Sequence, residues 1–190
     1  HLMDNLLNTV DELRRMSAAE LADVGEDSLK VRLREQGQEA RDKHGPLSPS
    51  NIETILSDPD CVRHPTRLVL EFGEMSMHQF AHPDVDVRDE TGRGRVIYLR
   101  PALGKRPDLM ALAVSYMIPV INYGDKMIGE EHCQVYGASI MGLSEKNYYN
   151  AICDLAEFVG AEERMSDGAP ESNHQSSGHG CGCGSGGCGS

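Results

Sequence analysis

The chain has no tryptophan, and aromatic residues make up only 5% of its 190 residues. Basic residues are also in the minority, because 18 lysines and arginines stand against 30 aspartates and glutamates, for a formal charge of −12. Proteins that bind nucleic acid or anionic membranes without specificity rely on a basic surface. We therefore expect neither as a partner.

Long hydrophobic runs are absent as well. A membrane-spanning helix needs roughly 18 or more consecutive apolar residues, and the longest candidate, Leu109 to Ile121, is interrupted by Ser115 and Pro119. The first residues do not form a signal peptide, because His1-Leu2-Met3 is followed at once by Asp4. These features predict a soluble protein, with the cytoplasm as its default location.

The sequence contains no glycine-rich phosphate loop of the Walker or GxGxxG type. It also lacks the cysteine spacing of a disulfide framework, because Cys61, Cys133 and Cys153 lie singly within patterned segments. Single cysteines in apolar patterns usually serve as small core residues. A reducing compartment fits this usage best.

Hydrophobic periodicity predicts the secondary structure. Apolar residues recur at helical spacing in residues 4–16, 17–24, 27–43, 48–57, 107–122, 130–141 and 144–160. Alternation predicts one strand at 66–72 and a hairpin over about 84–100, with its turn at 91–94. Pro119 should kink or divide the helix in which it lies, because proline lacks the backbone donor.

The order of these elements predicts an α+β fold. We expect a single globular domain over residues 1–165, in which a small antiparallel sheet is packed by the C-terminal helices. Residues 1–60 would form a helical arm and residues 61–165 the core. Residues 166–190 are almost entirely glycine, serine and polar residues. Such a composition buries too little apolar surface to fold, and it predicts a disordered tail.

The tail also has the strongest metal-binding signal in the sequence. Thiolates and imidazoles are the ligands that zinc, nickel and copper(I) select, and the tail offers them at His174, His179, Cys181, Cys183 and Cys188. In composition it resembles the His/Cys-rich ends of metallochaperones. Two other interpretations remain open: the cysteines have no role, or the Cys181–Cys183 pair closes a strained, easily reduced disulfide.

A second, weaker metal candidate precedes the predicted hairpin. If residues 74–82 are helical, Glu74, His78 and His82 share one face, because side chains three and four apart are neighbours on a helix. The spacing of the two histidines resembles the HExxH motif of zincin metalloproteases. Gln79 stands where that motif has its catalytic glutamate, and an amide cannot serve as the general base. The alternative is an extended segment, in which the histidines are too far apart to share an ion.

Residues 134–158 offer an interpretation of another class. A helix that ends at Gly142, followed by a helix capped by Ser144, resembles the helix-turn-helix of DNA-binding repressors. The would-be recognition helix carries Glu145, Asp154 and Glu157, and acidic side chains are poorly suited to a phosphate-lined groove. A plain antiparallel helix pair is the simpler interpretation.

Basic residues gather in one part of the acidic chain, at Arg88, Arg93, Arg95, Arg100, Lys105 and Arg106. Two interpretations apply to them. They could form a positive patch for an anionic ligand or for an acidic face of a second copy. They could also be the solvated charges that protect an edge strand from aggregation, which is the simpler account.

Together these patterns favour a non-enzymatic protein that binds or handles a transition metal, zinc or nickel, through its C-terminal tail. The domain would then dock a protein partner or a second copy of itself. Two alternatives come from other classes: a helix-turn-helix regulator that uses residues 134–158, and a metal-dependent hydrolase that uses His78 and His82.

Overall fold

The computed structural model describes residues 18–166. Five α-helices, three short strands and one 3-10 helix follow one another in this part of the chain. In chain order they are α1 (Ala18–His44), α2 (Ile52–Leu56), β1 (Thr66–Val69), β2 (Ala81–Val85), β3 (Arg95–Leu99), the 3-10 helix (Pro101–Lys105), α3 (Pro107–Tyr123), α4 (Glu130–Met141) and α5 (Glu145–Ser166).

The α+β class predicted from the sequence is confirmed, but the sheet is mixed rather than antiparallel. Its strand order is β1-β3-β2. β2 and β3 form an antiparallel pair, as the predicted hairpin requires, but β2 spans Ala81–Val85, whereas the hairpin was predicted to begin near residue 84. Ala81 lies opposite Leu99 and Val85 opposite Arg95. β1 pairs with β3 in the parallel direction. The parallel pairing arises because residues 70–80 cross over before β2 begins, and no local pattern in β1 encodes that path.

Helix α3 is the centre of the molecule. Its sequence is apolar around most of its circumference, as expected of a helix that is covered on all sides. It packs against the sheet on one side and against α4 and α5 on the other. The helix continues through Pro119 and ends at Gly124, whose φ of 86° suits glycine. Within residues 18–166, no helix combines the length and the hydrophobicity that crossing a bilayer requires.

Helix α1 is one continuous helix, whereas the sequence predicts two helices over residues 17–43. It lies along α4, and the two helices are close at Gly37, where an added Cβ would stand 2.7 Å from Ser139 Cβ. Ser139 also donates a hydrogen bond to the carbonyl of Arg34 at 2.6 Å. The lack of a side chain at Gly37 therefore permits close packing. The predicted helix over residues 4–16 lies outside the described residues.

Helices α4 and α5 are joined by a short turn at the position predicted from the sequence. Gly142 has a φ of 70°, and the N–H of Leu143 bonds to the carbonyl of Ala138 at 2.9 Å. Ser144 caps α5, because its hydroxyl accepts the backbone N–H of Asn147 at 3.1 Å. α5 continues past Gly160, where the sequence predicts its end. DNA binding by this pair stays a prediction.

Three of the six basic residues between Arg88 and Arg106 have partners within the chain. Arg95 donates to three backbone carbonyls of residues 92–94, and Arg106 pairs with Asp108. Arg100 is buried, at 7% exposure, and is bound to residues of its own chain. Binding of an anionic ligand or of a second copy by this group stays a prediction.

Candidate metal centre

The last turn of α1 meets the turn that follows α2. α1 ends on Lys43 and His44, and basic residues at this end of a helix are favoured by its dipole. The side-chain amide of Asn51 donates to the carbonyls of His44 at 3.1 Å and Pro46 at 3.0 Å. These bonds reverse the chain, so that the segment after α2 returns to the end of α1.

Asp58 lies at the centre of this contact. Its Oδ2 atom is 2.7 Å from His44 Nε2 and 2.6 Å from Lys43 Nζ. The Cys61 thiol donates to the same oxygen at 3.7 Å, and the backbone N–H of Asp60 donates to Oδ1 at 2.9 Å. We refer to His44, Asp58 and Cys61 as the His–Asp–Cys cluster.

The cluster is largely shielded from solvent. The His44 and Asp58 side chains are 15% and 10% exposed, and Cys61 is 9% exposed. Hydrogen bonds from Lys43 and then from His44 hold the pKa of the Asp58 carboxyl well below its usual range, so it is ionised at neutral pH. Burial, followed by the charge of Asp58, raises the pKa of the Cys61 thiol to about 11. Without a metal, the thiol therefore keeps its proton.

The spacing of the cluster approaches that of a metal site. The imidazole nitrogen, the carboxylate oxygen and the sulfur lie within 4.8 Å of one another, the one such group of three found in residues 18–166. In a tetrahedral zinc site, bonds of about 2.0–2.3 Å place the ligand atoms roughly 3.3–3.7 Å apart. The sulfur–oxygen separation of 3.7 Å already has this value. The nitrogen–oxygen separation of 2.7 Å is that of a hydrogen bond, and it would widen by roughly 0.6 Å around an ion.

Tyr136 carries a buried hydroxyl. Burial and, to a smaller extent, the charge of Cys61 raise the pKa of the Tyr136 phenol. The Tyr136 hydroxyl has no hydrogen-bond partner in the described part of the chain, although buried polar groups are normally paired.

The structure does not bring together the second candidate set from the sequence. Glu74 and His78 lie in turns, and His82 lies in β2, so residues 74–82 do not form the helix that a shared ion requires. The three side chains are not within 4.8 Å of one another in the described structure. Arg100 explains the local conformation, because it binds three carbonyls of residues 76–79 that a helix would otherwise use.

His82 instead lines an open cleft of about 630 Å³ between β2 and the end of α3. His64 and Arg95 line the same cleft, and burial together with the charge of Arg95 lowers the pKa of His64. Asp84 and Asp125 add negative charge to the lining. The cleft therefore offers charges of both signs rather than a single ligand set.

The five tail residues predicted to bind a metal, His174, His179, Cys181, Cys183 and Cys188, lie outside the described residues. The site predicted there stays a prediction. Among the domain cysteines, Cys133 is buried and Cys153 is exposed, and both are free thiols. Cys61 alone of these three belongs to the His–Asp–Cys cluster.

Sequence reasoning missed all three residues of the cluster. His44 and Asp58 are the residues that follow the helices predicted over 27–43 and 48–57, and Cys61 was interpreted as a small core residue. The sequence did contain one signal for the cluster: one potential ligand, His44, precedes the short helix α2, and two, Asp58 and Cys61, follow it. A short helix that reverses the chain brings its two flanks together.

No protein-family description matches the chain, and neither a curated protein nor a solved structure shows significant similarity to it. No relative therefore supplies a function by comparison. The chemistry of the chain's own residues is the basis for inference.

Proposed function

We propose that this protein binds a divalent transition-metal ion of the zinc class at the His–Asp–Cys cluster, and that it acts by holding the ion. One observation carries the proposal: an imidazole, a carboxylate and a thiol from two separated segments lie within 4.8 Å of one another in a shielded site. Mixed nitrogen, oxygen and sulfur ligands suit zinc, whereas magnesium and calcium prefer oxygen alone.

Three protein ligands would leave one coordination position for water or for a ligand from elsewhere. A site of this kind holds an ion less tightly than a closed four-ligand site, and it allows the ion to be passed on.

The protonated thiol of Cys61 is compatible with this function. A coordinating thiol is deprotonated by the metal, so binding would release the Cys61 proton to the solvent. The imidazole of His44 would present Nε2 as a lone pair to the ion in place of its present hydrogen bond to Asp58. Affinity would therefore rise with pH, as expected of any site that exchanges protons for a metal.

The tail residues extend the proposal without being needed for it. His174, His179, Cys181, Cys183 and Cys188 would provide a second, more exposed set of ligands. Soft thiolates on a glycine-rich segment suit capture of the same class of ion. The hydrolase and DNA-binding alternatives gain no support from the described geometry, and we do not advance them.

Zinc stoichiometry tests the proposal. In a full-length variant that we call the tail-substituted chain, the three tail cysteines become serine and His174 and His179 become alanine. After equilibrium dialysis against zinc and elemental analysis, we expect this chain to hold about one equivalent. In the same background, His44→Ala should weaken binding by about 100-fold or more, because it removes a direct ligand, whereas changes to outer groups around a metal already cost 10–100-fold.

His78→Ala is the matched control, because His78 is exposed and lies outside the cluster. It should leave the affinity and stoichiometry unchanged. If the tail-substituted chain held no zinc, the proposed function would be refuted. If His78→Ala lowered the affinity and His44→Ala did not, the ion would lie at the site predicted from residues 74–82, and the assignment to the cluster would be refuted.

A further inference from the structure

We infer that Lys43 is a built-in competitor for the metal, and that Asp60 is the side chain that receives its ammonium group when an ion binds. This inference rests on the proposed function, because it assigns a regulatory role at the same cluster. The reason is that the Lys43 ammonium and a bound ion would both need the Oδ2 atom of Asp58.

The Lys43 ammonium is bonded to the Asp58 oxygen that a metal would need. Lys43 Nζ lies 2.6 Å from Asp58 Oδ2, the same atom that His44 and Cys61 approach. A divalent ion bonded to this oxygen would stand beside the ammonium, and the two positive charges would repel each other strongly in a shielded site. The ammonium group must therefore leave Asp58 when an ion arrives.

The Lys43 ammonium has a short path from Asp58 to Asp60. Lys43 Nζ is already 3.3 Å from Asp60 Oδ2, so a small rotation transfers its ion pair from one carboxylate to the other. The Lys43 and Asp60 side chains are 51% and 86% exposed, whereas Asp58 is 10% exposed. The movement would take place at the surface. Lysine keeps its proton throughout, because it exchanges one carboxylate partner for another.

This arrangement has a functional consequence. Without a metal, Lys43 neutralises a buried carboxylate that would otherwise be costly to hold unpaired. With a metal, the ion takes over that role. The site is therefore preformed and stable in both states, and its affinity is held below what its three ligands alone would give, which suits an ion that is bound reversibly.

Zinc affinity of the tail-substituted chain at one fixed pH tests the inference. We expect Lys43→Met to tighten zinc binding about five- to tenfold, because it removes a hydrogen-bonded competitor from Asp58. Lys126→Met is the matched control: it removes an equal charge from an exposed turn, and it should change affinity less than about twofold, because charges exposed to solvent are screened by salt. Lys43→Arg, which keeps the charge, should stay close to the parent affinity.

A double-mutant cycle tests the role of Asp60. Asp60→Asn should weaken zinc binding about two- to threefold, because the displaced ammonium loses its second partner. The same change in the Lys43→Met background should have almost no effect, since no ammonium remains to be received. If Asp60 were itself a ligand, its replacement would weaken binding in both backgrounds, and the inference would be overturned.

The outcomes separate this inference from the function on which it rests. Equal effects of Lys43→Met and Lys126→Met, with zinc still bound and still lost in His44→Ala, would refute the competitor role and leave metal binding intact. Absence of zinc from the tail-substituted chain would refute both. Circular dichroism of each variant shows whether the fold is retained, so that a loss of binding can be separated from unfolding.

Discussion

Arg100→Met is expected to lower the free energy of unfolding by about 3–5 kcal/mol, the range seen when one partner of a buried ion pair is removed. The Arg100 side chain is 8% exposed, and its guanidinium forms an ion pair with Glu163 of α5. It also donates to the carbonyls of Gln79 at 2.6 Å, Ser76 at 2.7 Å and Met77 at 2.7 Å. Methionine fills similar space but supplies no donor, so three carbonyls lose their bond to Arg100 at once, and the Ser76 carbonyl keeps only the N–H of Gln79.

Arg106→Met is the matched control for this prediction. Arg106 also forms a bidentate pair with an acidic residue, Asp108, but the two side chains are 47% and 64% exposed. Exposed ion pairs contribute about 0–1 kcal/mol, so Arg106→Met should lower the free energy of unfolding by no more than about 1 kcal/mol. Urea unfolding followed by circular dichroism measures both variants. A loss below about 1 kcal/mol for Arg100→Met would show that the guanidinium is not the anchor of residues 76–79.

Gly137→Ala is expected to destabilise the protein by about 2–3 kcal/mol, which is opposite in sign to the usual effect of this substitution inside a helix. Replacing glycine by alanine inside a helix normally gains up to about 1 kcal/mol. Gly137 lies in α4 directly against Tyr148 of α5, where an added Cβ would stand 2.7 Å from Tyr148 Cε1 and closer still to the hydroxyl oxygen. Tyr148 is fully buried and bonded to Ser115 Oγ at 2.8 Å, so it has no room to retreat. Overpacking of this kind typically costs about 1–3 kcal/mol.

The same substitution in α5 provides the control. A Cβ at Gly160 would meet Arg164 Nη1 at 3.5 Å, an ordinary contact with the end of a flexible side chain. Gly160→Ala should therefore stabilise the protein by up to about 1 kcal/mol. Thermal unfolding of the two variants should show shifts of opposite sign. Shifts of the same sign and size would contradict the close α4–α5 packing at Gly137.

Local patterns predicted much of this fold. The apolar positions of α3, the turn at Gly142 and the cap at Ser144 are encoded within a few residues of where they act, and the structure has each of them. Glycine and proline were less reliable guides, because their effect depends on neighbours far away in sequence. Gly37 lies inside α1, and α3 continues through Pro119, which was expected to kink or divide it, since packing outweighs local propensity.

The pairing of β1 and the candidate site could not be predicted in the same way. The direction of β1 depends on the path of residues 70–80, and Arg100, the residue that follows β3, holds this path through the carbonyls of residues 76–79. The His–Asp–Cys cluster likewise joins the end of α1 to a turn beyond α2. A motif search finds ligands at fixed spacing on one element, as with His78 and His82, and it does not detect ligands that only the chain reversal brings together.

Cobalt absorption of the tail-substituted chain tests the central claim most directly, because cobalt replaces zinc at such sites and reports thiolate ligands through a charge-transfer band. We predict that the band appears with about one equivalent of cobalt, disappears in Cys61→Ser, and persists in Cys153→Ser, which changes an exposed cysteine outside the cluster. A band that survived Cys61→Ser, or that never appeared in the parent, would contradict a metal centre at His44, Asp58 and Cys61.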